Sequence, residues 1–316
     1  MMEKERTADV KRAMLCMTRQ CWEQGICAQA LLETEDEDML LLAVHDMVLR
    51  QGSDGRLCDV ENTPAVTDSS FCIPAVLAAA KKEKKEEYER AALKNIMYLV
   101  KQAPGSADGT LFHMRGTQEI WADSAAFTPY AMALGGYVPE ACEQMLGITR
   151  KLYVPEKKLY NHIWDESKKA FKRPEAWGVG NGWILTGLLR LILCFGEGCS
   201  GEKKIFVKLF QELLDSMLNC LTPDGKFHYI LDEPDTFPET ETCAMAAYSI
   251  FRACKEQLIG QSFLDTAFLL RENVWKMVDG DGLVQSCAGS PDFLYPGTSV
   301  EGQAHTLMME KAYSVL

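Results

Sequence analysis

The hydrophobic positions along this chain recur with the period of an α-helix over most of its length. Between 202 and 221, for example, apolar residues fall at Ile205, Leu209, Phe210 and Leu213. Spacings of three and four residues are typical of a helix with one buried face. The sequence therefore predicts an all-α protein. It predicts twelve helices, near 7–19, 21–33, 36–51, 68–81, 84–102, 123–135, 139–152, 181–196, 202–221, 241–257, 261–276 and 302–314.

A short phrase recurs between these helices. It reads SDGRLC at 53–58, ADGTLFH at 107–113, EKKLYNH at 156–162, PDGKFHY at 223–229 and GDGLVQS at 280–286. Such repetition indicates one structural unit used several times, and about two helices fit between successive phrases, so the unit is a helical hairpin. Asp-Gly favours tight turns, so we expect the phrases to form short β-hairpins or loops. Five phrases separate six hairpins, which predicts an (α/α)6 barrel with the phrases at one rim.

The distribution of charge over the predicted helices agrees with two concentric rings. The segment near 84–102 carries a charged face, as an outer helix should. The segments near 181–196 and 241–257 are nearly all apolar or small, which is typical of inner helices buried on both sides. The lysines and glutamates at 81–89 alternate in sign, so we interpret them as a solvated helix face.

The overall composition limits the classes of partner. A formal net charge of -12 over 316 residues argues against nucleic acid or an anionic membrane surface, because both require a basic footprint. The sequence has no apolar run of about eighteen residues that would predict a membrane span, and its charged start lacks the apolar core of a secretory signal. No Pro/Ser-rich linker divides the chain. We therefore expect one domain over 1–316, as a monomer or a homodimer.

The twelve cysteines lie mostly inside apolar helices, and none forms a Cys-x-x-Cys pair with the spacing of a zinc site. Reduced, buried thiols in a cytoplasmic protein are the simplest interpretation. We expect neither a metal ion nor a cofactor.

Polar residues cluster where each phrase leads into the next predicted inner helix. They read TDS at 67–69, WADS at 121–124, GNGW at 180–183, ETET at 239–242 and TSVEGQ at 298–303. Helix capping alone explains any one of these positions. Together, carboxylates and aromatic rings around one concave opening favour a site that holds and cleaves sugars.

Five motifs in order carry a resemblance to a known family. They are WADSAAFTPYAMALGG, LYNHIWD, WGVGNGWILTGL, ETETCAMAAYSI and GTSVEGQAHTLMM. With them the chain, from about residue 60 to 313, resembles the unsaturated glucuronyl and rhamnogalacturonyl hydrolases of glycoside hydrolase families 88 and 105. The resemblance implies a six-hairpin glycosidase that acts in polysaccharide degradation. Its substrate would be an oligosaccharide left by a polysaccharide lyase, with a 4,5-unsaturated uronic acid at its non-reducing end.

The resemblance also implies which residues are catalytic. Asp123 of the W-x-D motif corresponds to the general acid and base of these families, and Asp68 to their second active-site aspartate. A carboxylic acid that protonates the alkene carbon of a vinyl ether can, as carboxylate, then take a proton from the attacking water. Because Asp123 must start protonated, we expect its pKa to be raised by a second carboxylate and an apolar wall.

The other candidate site residues would bind the substrate. His162 matches a family histidine near the substrate, and Trp177 and Trp183 flank glycines that permit close approach of a ligand. Arg115 and His113 are candidates for the uronate carboxylate. The full set of predicted substrate-binding residues is Trp121, His162, Trp177, Asn181, Trp183, Arg115, His113, Glu241 and Tyr295.

The chain departs from the family pattern at one position. Members commonly carry arginine within W-x-R-G-N-G-W, where this chain has Val179. Arginine offers two parallel hydrogen bonds to a carboxylate and valine offers none. Lys172 or Arg173 nearby is a candidate replacement, and a different substrate or a loss of activity is the alternative.

Two other functions stay open at this point. An (α/α)6 barrel also supports inverting glycosidases, in which Asp68 or Glu241 would work with Asp123 across a water. A non-catalytic or altered-specificity carbohydrate-binding barrel would keep the fold without turnover.

A sugar epimerase would need paired histidines at the mouth of the barrel, and the five histidines are scattered along the sequence. A zinc cyclase would need cysteine and histidine ligands at the rim.

Overall fold

The computed structural model describes residues 2–59 and 63–316, and twelve α-helices follow one another in this part of the chain. They are α1 (Met2–Met17), α2 (Cys21–Glu33), α3 (Glu37–Leu49), α4 (Ile73–Glu83), α5 (Glu86–Lys101), α6 (Thr128–Leu134), α7 (Val138–Leu152), α8 (Gly178–Cys194), α9 (Ser200–Leu218), α10 (Thr240–Lys255), α11 (Leu264–Lys276) and α12 (Val300–Ser314). The predicted helices are therefore present, with ends shifted by a few residues.

The even-numbered helices form a closed inner ring. Each packs against the next even-numbered helix, and α12 packs against α2, which closes the ring. The odd-numbered helices lie outside, each against a neighbouring inner helix. This arrangement confirms the predicted (α/α)6 barrel of six helical hairpins. All inner helices begin at the same rim.

Close packing of the inner ring depends on small residues. In α8 every residue from Gly178 to Ile192 is buried. A Cβ atom at Gly187 would overlap the carbonyl oxygen of Ala125, and one at Gly25 of α2 would overlap Phe71. Glycine at these positions lets neighbouring inner helices approach closely, which a larger residue would prevent.

Two predicted inner helices, those beginning at 68 and 123, start with a tighter turn than expected. Residues Asp68–Cys72 and Ala122–Ala125 are 3-10 helices, and the α-helices begin only at Ile73 and Thr128. Both α-helices have a proline in their first turn, which is tolerated there but not further inside a helix. The proline therefore sets where each α-helix begins, and the aspartates before it lie in the 3-10 turns.

Within the described residues, nine short strands lie at the rim, and all pair antiparallel. They are β1 (Glu119–Trp121), β2 (Tyr153–Val154), β3 (Leu159–Tyr160), β4 (Ile163–Asp165), β5 (Ala170–Arg173), β6 (Phe227–His228), β7 (Pro238–Glu239), β8 (Cys287–Ala288) and β9 (Pro296–Gly297). Three pairs stand alone, namely β2 with β3, β6 with β7 and β8 with β9. The other three strands form a sheet in the order β1, β4, β5. This sheet joins the segment that follows the second phrase to the segment that follows the third.

Among the described residues, none of the helices combines the length and the apolar character needed to cross a membrane.

Candidate active site

A cavity of about 380 Å³ opens at the rim where the inner helices begin. Pockets for small ligands have volumes of roughly 300–1,000 Å³. Each inner helix, or the turn just before it, contributes at least one residue to the wall. The predicted site residues that line the cavity are Asp68, His113, Trp121, Asp123, His162, Trp177, Trp183 and Glu241.

Asp68 lies in the 3-10 turn ahead of α4 and faces His113. The Nε2 atom of His113 is 3.5 Å from Oδ1 of Asp68, and both side chains are less than a tenth exposed. The other ring nitrogen of His113, Nδ1, lies 2.8 Å from Oγ1 of Thr67 and 3.0 Å from Oγ of Ser124. Two hydroxyl groups therefore fix the orientation of the His113 ring and its contact with Asp68.

Asp123 lies in the 3-10 turn ahead of α6 and makes the corresponding contact with His162. The Nε2 atom of His162 is 3.3 Å from Oδ2 of Asp123, and 22% of the Asp123 side chain is exposed. Nδ1 of His162 has no hydrogen-bond partner among the described residues, and the ring packs against Trp177 with 4.4 Å between centroids. This pair is more accessible and less constrained than Asp68 and His113.

The indole of Trp121 separates the two pairs. It stacks on His113 with 4.4 Å between ring centroids, and its edge meets His162 at 5.7 Å. Its Nε1 donates a hydrogen bond of 3.0 Å to Oε2 of Glu119. Nζ of Lys172 lies 2.6 Å from Oε1 of the same carboxylate. Glu119 therefore holds the indole in place, and Lys172 balances the buried charge of Glu119.

The three-stranded sheet positions part of the cavity wall. Its register places Trp121 opposite Ile163, and Ile163 opposite Arg173, and all three line the cavity. Ile163 lies opposite Arg173 and Trp164 opposite Phe171, so Lys172 falls at a β-bulge, where a side chain is re-aimed relative to its neighbours. Lys172 is paired with Glu119, whereas Arg173 faces the cavity, where it lies near the hydroxyl of Tyr229 and makes a long contact, 3.4 Å, with Glu175.

The two aspartates differ in ionisation. Burial raises the pKa of Asp68, and the charge of Asp123 raises it further although His113 opposes both. Burial also acts to raise the pKa of Asp123, but the contact with His162 and the charges of both histidines outweigh burial and lower it. The expectation of a raised pKa at Asp123 is therefore wrong for the protein without substrate, because His162 lies directly against the carboxylate.

Two buried glutamates form the polar floor of the cavity. Oε2 of Glu241 accepts a hydrogen bond of 2.9 Å from Ser299, and Oε1 lies 3.6 Å from Nδ1 of His305. Oε1 of Glu301 accepts a hydrogen bond of 2.7 Å from Nε1 of Trp22. Burial raises the pKa of Glu241 well above its ordinary value, and the charge of Glu301 adds to the effect. Burial also raises the pKa of Glu301, to about 7. Protonated carboxyl groups can donate hydrogen bonds to a ligand.

Aromatic rings form much of the remaining wall. Trp177 and Trp183 border the cavity although each is almost fully buried, and the edge of Trp183 meets Phe71 at 5.5 Å. Nε1 of Trp177 has no hydrogen-bond partner among the described residues. Val179 also lines the cavity. The position that commonly holds arginine in families 88 and 105 therefore faces the cavity here with an apolar side chain.

Three predicted substrate-binding residues do not line the cavity. Asn181 is buried, and its amide exchanges hydrogen bonds of 2.9–3.0 Å with the backbone of Tyr160, which fastens β3 to the first turn of α8. Arg115 is hydrogen-bonded to Asp54 and lies 3.4 Å from the hydroxyl of Tyr98. Tyr295 is 69% exposed on the loop between β8 and β9.

Sequence reasoning missed several residues that line the cavity. Trp22 follows the first residue of α2, and no phrase precedes that helix to mark its start as part of the rim. Tyr229 closes the fourth phrase, and its hydroxyl donates a hydrogen bond of 2.8 Å to the carbonyl of Phe293, which also lines the cavity. The position of Tyr229 in the phrase was a signal that could have found it.

The carboxylates of the cavity do not gather into a set of three that could hold one metal ion, within the chain as described. The one group of three possible ligands found in these residues is Cys21, Cys58 and Cys72, which lies outside the cavity wall.

The sequence of this chain is similar to that of a curated relative. The curated relative YesR of Bacillus subtilis strain 168, an unsaturated rhamnogalacturonyl hydrolase, is 24% identical over 181 residues. The aligned part is 53% of this chain and 52% of YesR, so the match spans about half the length of that relative.

A possible member of family GH105 from Klebsiella pneumoniae subsp. pneumoniae MGH 78578 superposes with a TM-score of 0.87 at 16% identity, covering 98% of this chain and 92% of the other. A family 105 glycoside hydrolase from C. acetobutylicum ATCC 824 gives a TM-score of 0.84 at 17% identity, covering 99% of both chains. At these identities the two likenesses show the fold, and they agree with the six-hairpin barrel.

The family itself follows from a match along almost the whole sequence. The family model described as Glycosyl Hydrolase Family 88 matches residues 1–309, and the ring of carboxylates and aromatic side chains lies within that span. The chain therefore belongs to glycosyl hydrolase family 88.

Proposed function

We propose that the protein releases a 4,5-unsaturated uronic acid from the non-reducing end of lyase-generated oligosaccharides by hydrating its double bond. The observation that carries this proposal is the pair of aspartate and histidine contacts on either side of Trp121, inside an aromatic cavity. The activity given by the name of YesR belongs to the same substrate class, which supports the proposal.

Asp123 is the acid and then the base in this proposal. Its proton passes to C4 of the double bond, and water adds to C5 as the carboxylate takes a proton from that water. The hemiketal formed at C5 then opens by breaking the bond from C5 to the ring oxygen, and the remaining sugar leaves from C1. The net change is the addition of one water. Asp123 suits both steps because it is the more exposed of the two aspartates, so substrate and water can reach it.

The low pKa of Asp123 suits the base step but not the acid step. In the free protein the charges of His162 and His113 favour the carboxylate. An incoming uronate carries its own negative charge and covers Asp123 from water, and both effects favour proton uptake. We therefore infer that substrate binding raises the pKa of Asp123 and prepares it to protonate the alkene.

Arg173 is the residue that we expect to bind the uronate carboxylate. No other arginine or lysine lines the cavity in the described part of the chain, whereas five carboxylates do. Its ion-pair contact with Glu175 is long at 3.4 Å. A guanidinium can donate two parallel hydrogen bonds to a carboxylate. Arg173 on β5 would thus take the part that an arginine at the position of Val179 commonly takes.

The protonated carboxyl groups would bind the sugar hydroxyls. Asp68, Glu241 and Glu301 all have raised pKa values, and each lines the cavity. As neutral acids they can donate a hydrogen bond and accept another, which matches a hydroxyl group. Trp121, Trp177 and Trp183 supply apolar faces against which a sugar ring can pack.

The experiment that tests the activity is an assay of loss of ultraviolet absorbance on a panel of lyase-generated oligosaccharides. The panel contains unsaturated products from rhamnogalacturonan, other pectins and glycosaminoglycans, with saturated oligosaccharides as controls. Hydration consumes the absorbance of the unsaturated uronate, so we expect it to fall for at least one substrate. Cleavage of the saturated controls instead would indicate an ordinary inverting glycosidase. Binding of the sugars without any turnover would indicate a non-catalytic barrel.

We place this activity in the cytoplasm. All twelve cysteines are free thiols, including several in the buried core. Free thiols in such number suit a reducing compartment, whereas secreted proteins commonly form disulfides.

A further inference from the structure

Three cysteines from separate segments meet behind the wall of the cavity. Cys21 is the first residue of α2, Cys58 ends the first phrase, and Cys72 ends the 3-10 turn ahead of α4. Their three Sγ atoms all lie within 4.8 Å of one another. Each residue is at most 2% exposed. The other nine cysteines join no group of this kind within the described residues.

The backbone around the cluster holds the sulfurs together. Cys58 has a φ of 50°, in the left-handed region that non-glycine residues seldom adopt, and its N–H donates to the carbonyl of Met47 at 3.1 Å. The Sγ of Cys21 lies 3.5 Å from the carbonyl oxygen of Leu57. The Sγ of Cys72 lies 3.7 Å from the carbonyl oxygen of Cys21. An unfavourable backbone conformation that points a thiol at two other thiols indicates a specific arrangement.

All three thiols must lose their protons to bind a metal ion. The thiolate is the form of cysteine that binds metal ions. The protons would pass to solvent as the ion binds, as metal binding to cysteine generally requires.

The chemistry of the donors selects the type of ion. Soft thiolate ligands favour Cu(I), Zn²⁺ and iron–sulfur clusters, and Zn²⁺ is almost always four-coordinate in structural sites. This cluster offers three sulfurs, and neither histidine nor a carboxylate joins them among the described residues. The three residues are at most 2% exposed, so the cluster is shielded from bulk solvent. We propose that Cys21, Cys58 and Cys72 form a three-coordinate site for Cu(I).

The cluster is connected to the cavity through neighbouring residues. Cys21 precedes Trp22, whose indole is hydrogen-bonded to Glu301, and Cys72 follows Phe71, which lines the cavity. Drawing the sulfurs toward one ion would move both neighbours. We therefore expect Cu(I) to inhibit the enzyme, as a second effect that is measured separately from binding.

The test is an anaerobic titration of the full chain with Cu(I) in competition with a chelator of known affinity. We expect one tightly bound Cu(I) per chain, ultraviolet absorption from thiolate to Cu(I) charge transfer, and three sulfur neighbours in X-ray absorption. Cys58→Ser should weaken binding by roughly 100-fold or more, since loss of even an outer partner of a metal ligand costs about 10- to 100-fold. Cys142→Ser, which removes another buried thiol, is the matched control and should bind as the wild type does.

Three results would overturn the proposal. They are wild-type protein that does not compete with the chelator, Cys58→Ser protein that competes equally well, and a bound ion with two or four sulfur neighbours. If Cys58→Ser does not give a cooperative thermal transition, Cys21→Ser replaces it with the same expected loss. Binding without inhibition would leave the site intact and would exclude only its effect on the cavity.

Discussion

The two aspartate and histidine pairs of the cavity look alike in contact but differ in ionisation. Asp68 and Asp123 each lie in a 3-10 turn ahead of an inner helix, and each meets a histidine Nε2, at 3.5 and 3.3 Å. The pKa of Asp68 is raised, whereas that of Asp123 is lowered. The repeated architecture therefore supplies two similar positions, and their surroundings make them chemically different.

The difference arises from the histidine that each carboxyl group meets. Burial is the largest influence on the pKa of both aspartates and acts to raise both. At Asp68 burial outweighs the charge of His113, whereas at Asp123 the contact with His162 and the charges of both histidines outweigh burial. Environments that push two carboxyl groups apart in pKa commonly give them different roles in catalysis. We expect Asp68, whose neutral form is favoured, to position the sugar and Asp123 to exchange protons with the substrate.

The largest expected effect is that of Asp123→Asn. An amide can neither give nor take the proton, so we expect turnover of an unsaturated uronide to fall by about 10²–10⁴-fold or more, the range found for general acids and bases. Initial rates of absorbance loss measure this effect. Thermal unfolding should be nearly unchanged, which would show that the loss is chemical.

The matched control is Asp68→Asn. Because the raised pKa of Asp68 favours its neutral form, which an amide resembles, we expect turnover to fall by only about tenfold, the effect of about 1.4 kcal/mol. If the two variants lost activity equally, the difference in role between the pairs would be wrong.

A second prediction concerns the side of Trp121 on which the substrate carboxylate lies. Arg173 lies opposite Ile163, the residue after His162, and thus on the side of the His162 and Asp123 pair. Arg173→Ala should therefore raise KM by about 10- to 100-fold, because hydrogen bonds to charged groups contribute roughly 1.5–3 kcal/mol. We expect a smaller change in kcat. Lys168→Ala removes an exposed lysine in the turn between β4 and β5 and should leave both constants unchanged. An unchanged KM in Arg173→Ala would place the carboxylate elsewhere.

A third prediction concerns a variant in which the pKa of Asp123 should move toward that of Asp68. His162→Gln keeps an N–H donor near Asp123 but removes the ionisable ring, so burial acts with less opposition and the pKa of Asp123 rises. Since kcat/KM reports the free enzyme, its alkaline limb should move to higher pH. A pH profile of kcat/KM for wild type and variant gives the comparison. A shift of the limb to lower pH would contradict the cause that we assign.

The smallest expected effect concerns the floor of the cavity. Glu301 has a pKa of about 7 in the folded protein, above that of an ordinary glutamate near 4.3. Between these values the folded state binds more protons than the unfolded state, so stability falls as pH rises from about 4.5 to 7. Glu301→Gln should remove on the order of 1–3 kcal/mol of this fall. Denaturant unfolding at several pH values measures it, and an equal fall in wild type and variant would argue against a raised pKa.

The helices and the rim could be predicted from the sequence because both signals are local. Helical spacing of apolar residues is visible within one segment, and the phrase recurs without change of position relative to the helices. The two prolines that shift the starts of α4 and α6 were visible too, but 3-10 turns ahead of them are not distinguished by periodicity.

The parts that could not be predicted depend on contacts between distant segments. The sheet of β1, β4 and β5 joins the segments that follow two phrases, and its register, with a bulge at Lys172, decides that Arg173 rather than Lys172 faces the cavity. The histidines looked scattered, yet folding brings His113 and His162 to the same wall. The lowered pKa of Asp123 follows from that convergence, as does the meeting of three cysteines from separate segments.

The most direct test of the central claim is to follow the two bonds at issue in one reaction. Nuclear magnetic resonance can observe the vinylic proton at C4 of an unsaturated disaccharide together with the sugar that is released. We expect the vinylic signal to disappear no later than the released sugar appears, and both changes to stop in Asp123→Asn. Release of the sugar while the vinylic proton persists would contradict hydration of the double bond.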